Sequence, residues 1–379
     1  MKVLVLYQDI QSGSKIATEA IIRAYKSIYR TDTVIVHKQQ SGKFKGAFSF
    51  LFNLMWSMWD FLHTLNNTPD IDIIYSAMYT FAIPWKLSNK RHIPAIFHMH
   101  GDQRFEATSR ELPLRHLYSS FVAMCVDFLQ HYAMKSSQLL AFVSKTAMMR
   151  FLTSLHAEMF SIKSIIILNG VDVHKFIRAS PKKISTLRIK YACRKGPQVL
   201  YVGRIDPKKG IHHLIKSVLF VPQNITLWIA YPSPTDKHSH AYLKKLHQLT
   251  VSLGLANKIR FIENPSNIVD IYQLSSCLVL PSAQEMLPLV LLEALACGVL
   301  PLATDVGGVS EIMKPTLSRF VLSSTQPKII ANKINFVLSL SKSKIKSIIM
   351  DTRTIVYSHS WEKSAKVLHE HLARFTQQK

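Results

Sequence analysis

The stretch CLVLPSAQEMLPLVLLEALACGVLPLATDVGGVSEI, Cys277 to Ile312, reads as strand, loop, helix, strand and loop. The apolar run Cys277–Leu280 halts at Pro281. A longer apolar run then starts near Pro288 and passes Glu293, and a second short run covers Leu300–Ala303. Proline suits the first position of a helix, where its missing N–H is not needed. Two short strands joined by a helix form the unit from which parallel, helix-covered sheets are built.

The same alternation recurs on both sides. In the first half the sequence predicts strands at 3–7, 33–37, 73–76, 95–99, 139–143 and 164–168. The second half repeats the pattern at 199–203, 226–230, 258–262, 277–280 and 300–303. LNGVD (168–172) is a turn-rich exit, and the basic segment 179–196 is expected to be an irregular connector. At 379 residues the chain suits two domains rather than one core. The expected architecture is α/β, two doubly wound Rossmann-like domains facing each other across a cleft. Their bounds are 1–178 and 179–357, followed by a terminal helix over 358–379 that crosses back to the first domain.

Composition narrows the function. A hydrophobic share of 48% with 18% charged residues describes a folding chain, not a disordered one. The four cysteines, 125, 193, 277 and 297, have neither disulfide-framework nor zinc spacing, and with no leader pattern in MKVLVLY the expectation is a cytoplasmic protein. The net charge of +24 should attract phosphates or acidic lipid. It concentrates late: residues 182–216 hold ten basic residues against the single Asp206. No aromatic residues alternate with these charges, so no nucleic-acid partner is expected.

In open parallel sheets ligands collect beyond the carboxyl ends of the strands. Glu285 lies in such a loop, and Glu293 lies about five residues into the following helix, roughly 8 Å further on at 1.5 Å per residue. That spacing can grip two ends of an extended ligand, with the helix start between them favouring a phosphate. Burial of Glu293 in a helix apolar almost all round would call for hydrogen-bond partners. Gly307 and Gly308 make a second loop-to-helix junction. Upstream, VLYVGRIDPKKG puts Arg204 one residue past a strand and Lys209 at the start of the next helix, two cations suited to a diphosphate.

Taken together, these pieces resemble the retaining, family-4-type (group 1) glycosyltransferases of the GT-B fold. The resemblance covers nearly the whole chain. It rests on the Glu-x7-Glu pair Glu285 and Glu293, on ALACGVLPLATDVGGVSEI, YVGRIDPKKG and NGVD (169–172), and on IPAIFHMHGD (93–102), VSK (143–145) and SWEKSAKVLHEHL near the end. It implies that Glu285 contacts donor-sugar hydroxyls, that Glu293 holds the ribose and that Arg204 and Lys209 clamp the diphosphate. Met286, Leu287, Pro288 and Leu289 would complete the donor loop, with Gly13 contributing from the first lobe. His100, with His98 as the weaker match, would face the reacting carbon and the acceptor. No cofactor or metal is implied beyond the nucleotide-diphosphate-sugar donor, and the Asp-x-Asp at Asp70–Asp72 is not read as a metal site. Three positions depart from the family pattern: Met286 stands for a usual glycine, Tyr231–Pro232 for a Gly-rich loop and Ser12–Ser14 for a Gly-Gly loop.

The implied reaction moves a sugar to a lipid-linked, glycan or other hydroxyl acceptor. Alternatives are an epimerase-like sugar-nucleotide enzyme and a catalytically inactive basic binding protein of the same fold. In KFKGAFSFLFNLMWSMWDFLHTL (43–65), helical spacing aligns Phe44, Phe48, Leu51, Met55, Met58 and Leu62 on one face. The primary expectation is a helix buried against the first sheet. The second is an interfacial helix that, with Lys43 and Lys45, attaches the protein to an anionic membrane surface.

Overall fold

The computed structural model describes residues 2–9, 13–29, 34–40, 49–68, 70–88, 90, 92–100, 113–154, 163–313 and 316–376. Two compact units divide it. The first comprises Met1–Leu168 with Trp361–Lys379, and the second Asn169–Ser360.

Each unit is built on a six-stranded, wholly parallel sheet. In the first, β1 (Val3–Asp9), β2 (Val34–Gln40), β3 (Ile73–Ser76), β4 (Ala95–Met99), β5 (Leu139–Phe142) and β6 (Ser164–Ile166) run in the order β2-β1-β3-β4-β5-β6. In the second, β7 (Gln198–Val202), β8 (Thr226–Tyr231), β9 (Ile259–Glu263), β10 (Cys277–Leu280), β11 (Leu300–Thr304) and β12 (Val321–Leu322) run β12-β11-β10-β7-β8-β9. Central strands are covered on both faces and so are largely apolar: every residue of β3, β4, β5, β8, β10 and β11 is buried. In the second sheet the chain begins at β7, works outward through β8 and β9, and returns to β10 on the opposite side of β7. That reversal opens a crevice beyond the carboxyl ends of β7 and β10, where ligands of such sheets collect.

The division between units falls after Leu168 rather than at 178, and packing explains it. Asn169 Nδ2 donates to the Leu287 carbonyl at 3.0 Å, Gln273 Nε2 to the Ile177 carbonyl at 2.6 Å, and Phe176 meets Tyr272 edge-on. All three ties hold the 169–178 segment on the second unit. At its other end, Val171 N donates to the His359 carbonyl at 2.8 Å, so residues up to Ser360 stay with that unit. The helix Trp361–Thr376 packs within the first unit, where His369 accepts or donates to Tyr25 Oη at 2.9 Å and stacks on Tyr29 at 3.7 Å.

The expected irregular connector contains a helix, Pro181–Lys190. Ser180 caps it by accepting from Lys183 N, and Pro181 opens it. This Ser-Pro pair is a helix-start signal that the run of basic residues obscured.

The helix Ser49–Asn67 is rotated from the expected stripe. Ser57, Phe61 and Leu65 are buried, whereas Met55 and Trp59 are 67% and 55% exposed. The helix packs on the segment Tyr79–Leu87, where Phe61 meets Phe81 at 6.4 Å and Ser57 Oγ donates to Thr80 Oγ1 at 3.1 Å. A satisfied hydroxyl thus replaces a methionine on the inner face. Lys43 to Phe48 lie outside the described residues.

Candidate functional site

The crevice beside β7 and β10 is assembled from four loops of the second unit. Beyond β7, Tyr201 Oη donates to the Arg204 carbonyl at 2.9 Å and fixes the exit. Asp206 then accepts from Lys208 N and caps a single 3-10 turn, Pro207–Lys209. Lys209 therefore ends this turn rather than starting the next helix, which begins at Ile211. Gly210 separates the two with φ at +68°, and a Cβ there would meet the Pro281 carbonyl oxygen at 2.1 Å. Only glycine lets the turn after β7 press against the first residue after β10.

That contact aims Lys209 at its partner. Ala283 N donates to the Lys208 carbonyl at 2.7 Å, and Lys209 Nζ lies 2.7 Å from Glu285 Oε1. The two side chains are only 18% and 9% exposed. A charge-assisted bond so sheltered from solvent fixes both groups at the crevice.

The loop after β11 supports the same segment. Gly307, with φ at +57°, leaves so little room that a Cβ would meet the Glu285 carbonyl oxygen at 1.7 Å, and Gly308 N donates to the Met286 carbonyl at 2.7 Å. Asn169 holds the Leu287 carbonyl. The carbonyl sides of Glu285, Met286 and Leu287 thus all face protein.

The chain then enters the helix Leu289–Ala296, with Pro288 as its N-cap rather than its first residue, and no side chain caps the start. The helix start carries the positive end of the helix dipole, and in its first turn Leu291 N donates to the Pro288 carbonyl at 3.3 Å. Glu293 is the fifth residue of this helix. Burial pushes its carboxyl up from its ordinary value, while the hydrogen bond from Tyr272 Oη to Oε2, at 2.6 Å, and nearby Lys175 pull it back.

Lys209, Glu285 and the run Met286–Leu289 are thereby brought together, with Glu293 on the helix they lead into. Arg204 lies at the same sheet edge with an exposed side chain. Tyr231, the departure at the end of β8, is buried and completes that strand.

His98, His100 and Gly13 belong to the first unit. His98 is buried on β4 and shares a short hydrogen bond with Tyr75 Oη on β3. The His100 ring lies 4.0 Å from the His98 ring, and its Nε2 is 3.4 Å from Thr18 Oγ1. Thr18 sits on the helix Gly13–Tyr29, which Gly13 opens. Burial lowers His100 to about 4 and His98 well below its usual value, so both are neutral at neutral pH. A neutral imidazole can exchange hydrogen bonds with hydroxyls but brings no positive charge. Ser12, Gly101 and Asp102 lie outside the described residues.

Asp70 and Asp72 are engaged with Lys2: Lys2 N donates to Asp72 Oδ2 at 2.8 Å, and Lys2 Nζ lies 3.6 Å from Asp70. Among the described residues, no three His, Cys, Asp or Glu side chains are grouped to hold a metal ion. No helix among them is long and apolar enough to cross a membrane.

Sequence reasoning missed Tyr272, Thr18 and Tyr75, and it named Asn169 within NGVD without giving it a role at the site. Tyr272 alone carried a signal: a tyrosine in an apolar run, IVDIYQL, needs a partner for its hydroxyl once buried.

Residues 185–353, which contain all of this crevice except Asn169, match the model of the family Glycosyl transferases group 1. That segment is similar to the family. Among the proteins it is similar to, the D-inositol 3-phosphate glycosyltransferase of Corynebacterium urealyticum is 27% identical over 217 residues, 54% of this chain and 50% of that protein. The lipopolysaccharide core biosynthesis mannosyltransferase LpsB of Rhizobium meliloti is 29% identical over 161 residues, 41% of this chain and 45% of that protein. The chain thus spans about half the length of the curated relatives it matches. Solved structures extend the likeness over the whole chain. Anabaena HepE in complex with UDP-glucose matches with a TM-score of 0.78 at 20% identity, covering 99% of this chain and 100% of that one. Sucrose-phosphate synthase from Thermosynechococcus elongatus matches at 0.79 and 15% identity, with 100% of both chains covered. The fold is therefore that of GT-B glycosyltransferases.

Proposed function

We propose that the protein transfers a sugar from a nucleotide-diphosphate-sugar donor to a hydroxyl acceptor, with retention and without a metal. The observation that carries this reading is the sheltered Lys209–Glu285 pair at the switch point of the second sheet, clamped by Gly210 and Gly307. Loss of a nucleoside diphosphate builds negative charge on the leaving oxygen. Lys209, Arg204 and the N–H groups at the start of the helix Leu289–Ala296 are the preorganised donors for that charge. Glu285 takes the sugar hydroxyls and Glu293 the ribose. His100, held neutral, serves the sugar or acceptor hydroxyls.

The acceptor in this reading is a glycan or lipid-linked hydroxyl, with the protein attached peripherally to an anionic cytoplasmic membrane face. Exposed Met55 and Trp59 and the charge of +24 support that attachment. Trp59 stacks on His63 and leans on Trp56, making a continuous aromatic ridge. Cosedimentation at low salt with vesicles rich in phosphatidylglycerol tests it, and protein left in the supernatant removes it.

The transferase reading is tested with a panel of nucleotide sugars, following both thermal stability and diphosphate release with lipid extract as acceptor. Since a ligand that binds only the folded state raises stability, the true donor should raise the melting temperature. It should also be consumed with product formation on the acceptor. Isomerisation of the nucleotide sugar without transfer would make the protein an epimerase. Binding with neither reaction would make it an inactive member of the fold.

A further inference from the structure

Glu293 stands in a helix whose neighbours Leu291, Leu292, Ala294 and Leu295 are buried, so its carboxylate must be held by hydrogen bonds to stay ionised. Tyr272 comes from a different element, the helix Ile268–Leu274, and is fully buried. Its phenol lies 2.6 Å from Glu293 Oε2.

We infer that Tyr272 is a positioning residue for Glu293: its hydroxyl donates to Oε2, fixes the carboxylate's rotation and turns Oε1 toward the ribose hydroxyls of a bound nucleotide. The inference rests on the reading of Glu293 proposed above.

The surroundings of Tyr272 leave it little freedom. Phe176 meets its ring edge-on at 5.9 Å. Asn267 caps the start of its helix by accepting from Val269 N, and the next residue, Gln273, donates to the Ile177 carbonyl. A phenol held this firmly fixes the carboxylate it touches, because a hydrogen bond to a charged acceptor is short and directional. The groups that face Glu293 are Tyr272, Lys175 from the 172–178 segment, and Cys297 one turn further along its own helix. Burial pushes the Cys297 thiol up to about 12, so it stays neutral. Tyr272 and Lys175 favour the ionised carboxylate, and among the described residues only Tyr272 donates a hydrogen bond to it.

The test measures binding of UDP, GDP and ADP to wild type, Tyr272→Phe, Glu293→Gln and the double variant by calorimetry between pH 5 and 8. For whichever nucleotide binds wild type, Tyr272→Phe should weaken affinity about tenfold, the effect of losing one hydrogen bond to a charged group. The acid limb of binding should move to higher pH in that variant, because the carboxyl without its donor takes up a proton sooner. In the Glu293→Gln background the Tyr272→Phe change should cost less than twofold.

A drop in melting temperature alone would not mimic these results, since a purely structural tyrosine would weaken binding equally in both backgrounds and leave the limb in place. Either of those outcomes overturns the inference. If Glu293→Gln weakens binding while Tyr272→Phe does not, the inference falls and the reading of Glu293 stands. If Glu293→Gln binds as wild type does, or no nucleotide binds at all, that reading falls and takes the inference with it.

Discussion

Replacing Gly307 with alanine should cripple the crevice without substituting any residue expected to meet a ligand. The added Cβ would lie 1.7 Å from the Glu285 carbonyl oxygen, where real Cβ atoms essentially never come closer than 3.0 Å. The neighbour is backbone, so it cannot swing aside as a side-chain tip would. The Glu285–Met286 segment, the Gly307 loop or both must shift by about 1.3 Å in total. Alanine at φ +57° also carries a left-handed penalty of about 1–2 kcal/mol. A displacement near 1 Å at a reacting group costs on the order of 100-fold in rate. We therefore expect kcat/KM for the donor to fall about 100-fold in Gly307→Ala, and stability by about 2 kcal/mol from the backbone strain. Initial rates of diphosphate release, paired with urea unfolding, measure both. A variant that folds and keeps kcat/KM within twofold of wild type would refute the claim that this contact sets the position of Glu285.

Gly210→Ala should act alike from the other side, since its Cβ would meet the Pro281 carbonyl at 2.1 Å; a loss of about tenfold or more in kcat/KM is expected by the same positional argument. Lys209→Met strands the 9%-exposed Glu285 without its partner and should lower stability by about 2 kcal/mol, less than for a fully buried pair because Lys209 is 18% exposed. Adding Glu285→Gln should restore part of that loss, which urea titration of the four proteins would show. His100 sets an acid limit. Its folded value of about 4 lies below the 6.5 of the free side chain, so the unfolded chain binds more protons as pH falls. Its contribution is complete above about pH 6.5 and lost progressively down to pH 4, so wild type should lose more stability across that window than His100→Asn, on the order of 2 kcal/mol.

The parallel sheets could be read from the sequence because central strands buried on both faces appear as apolar runs, unbroken at Leu139–Phe142 and Cys277–Leu280. β12 was missed because two residues make no pattern. The positions of Arg204, Lys209, Glu285 and Glu293 beyond strand ends were also legible, since the strand-loop-helix rhythm fixes which residues leave a sheet at its carboxyl edge. What pairs with what was not. The Lys209–Glu285 bond spans 76 residues and depends on Gly210 touching Pro281, a contact that no local spacing encodes. The burial of Ser57 in place of Met55 likewise follows from Thr80 and Phe81 across the helix interface, which periodicity alone cannot see.

The central claim is that the second unit holds a nucleotide diphosphate sugar on Lys209, Glu285 and Glu293. A crystal structure with UDP-glucose bound tests it most directly. The account predicts the pyrophosphate within hydrogen-bond distance of Lys209 Nζ, the glucose hydroxyls on Glu285 and the ribose on Glu293. A nucleotide sugar that binds elsewhere, or that binds in the crevice without touching any of these three side chains, would contradict it.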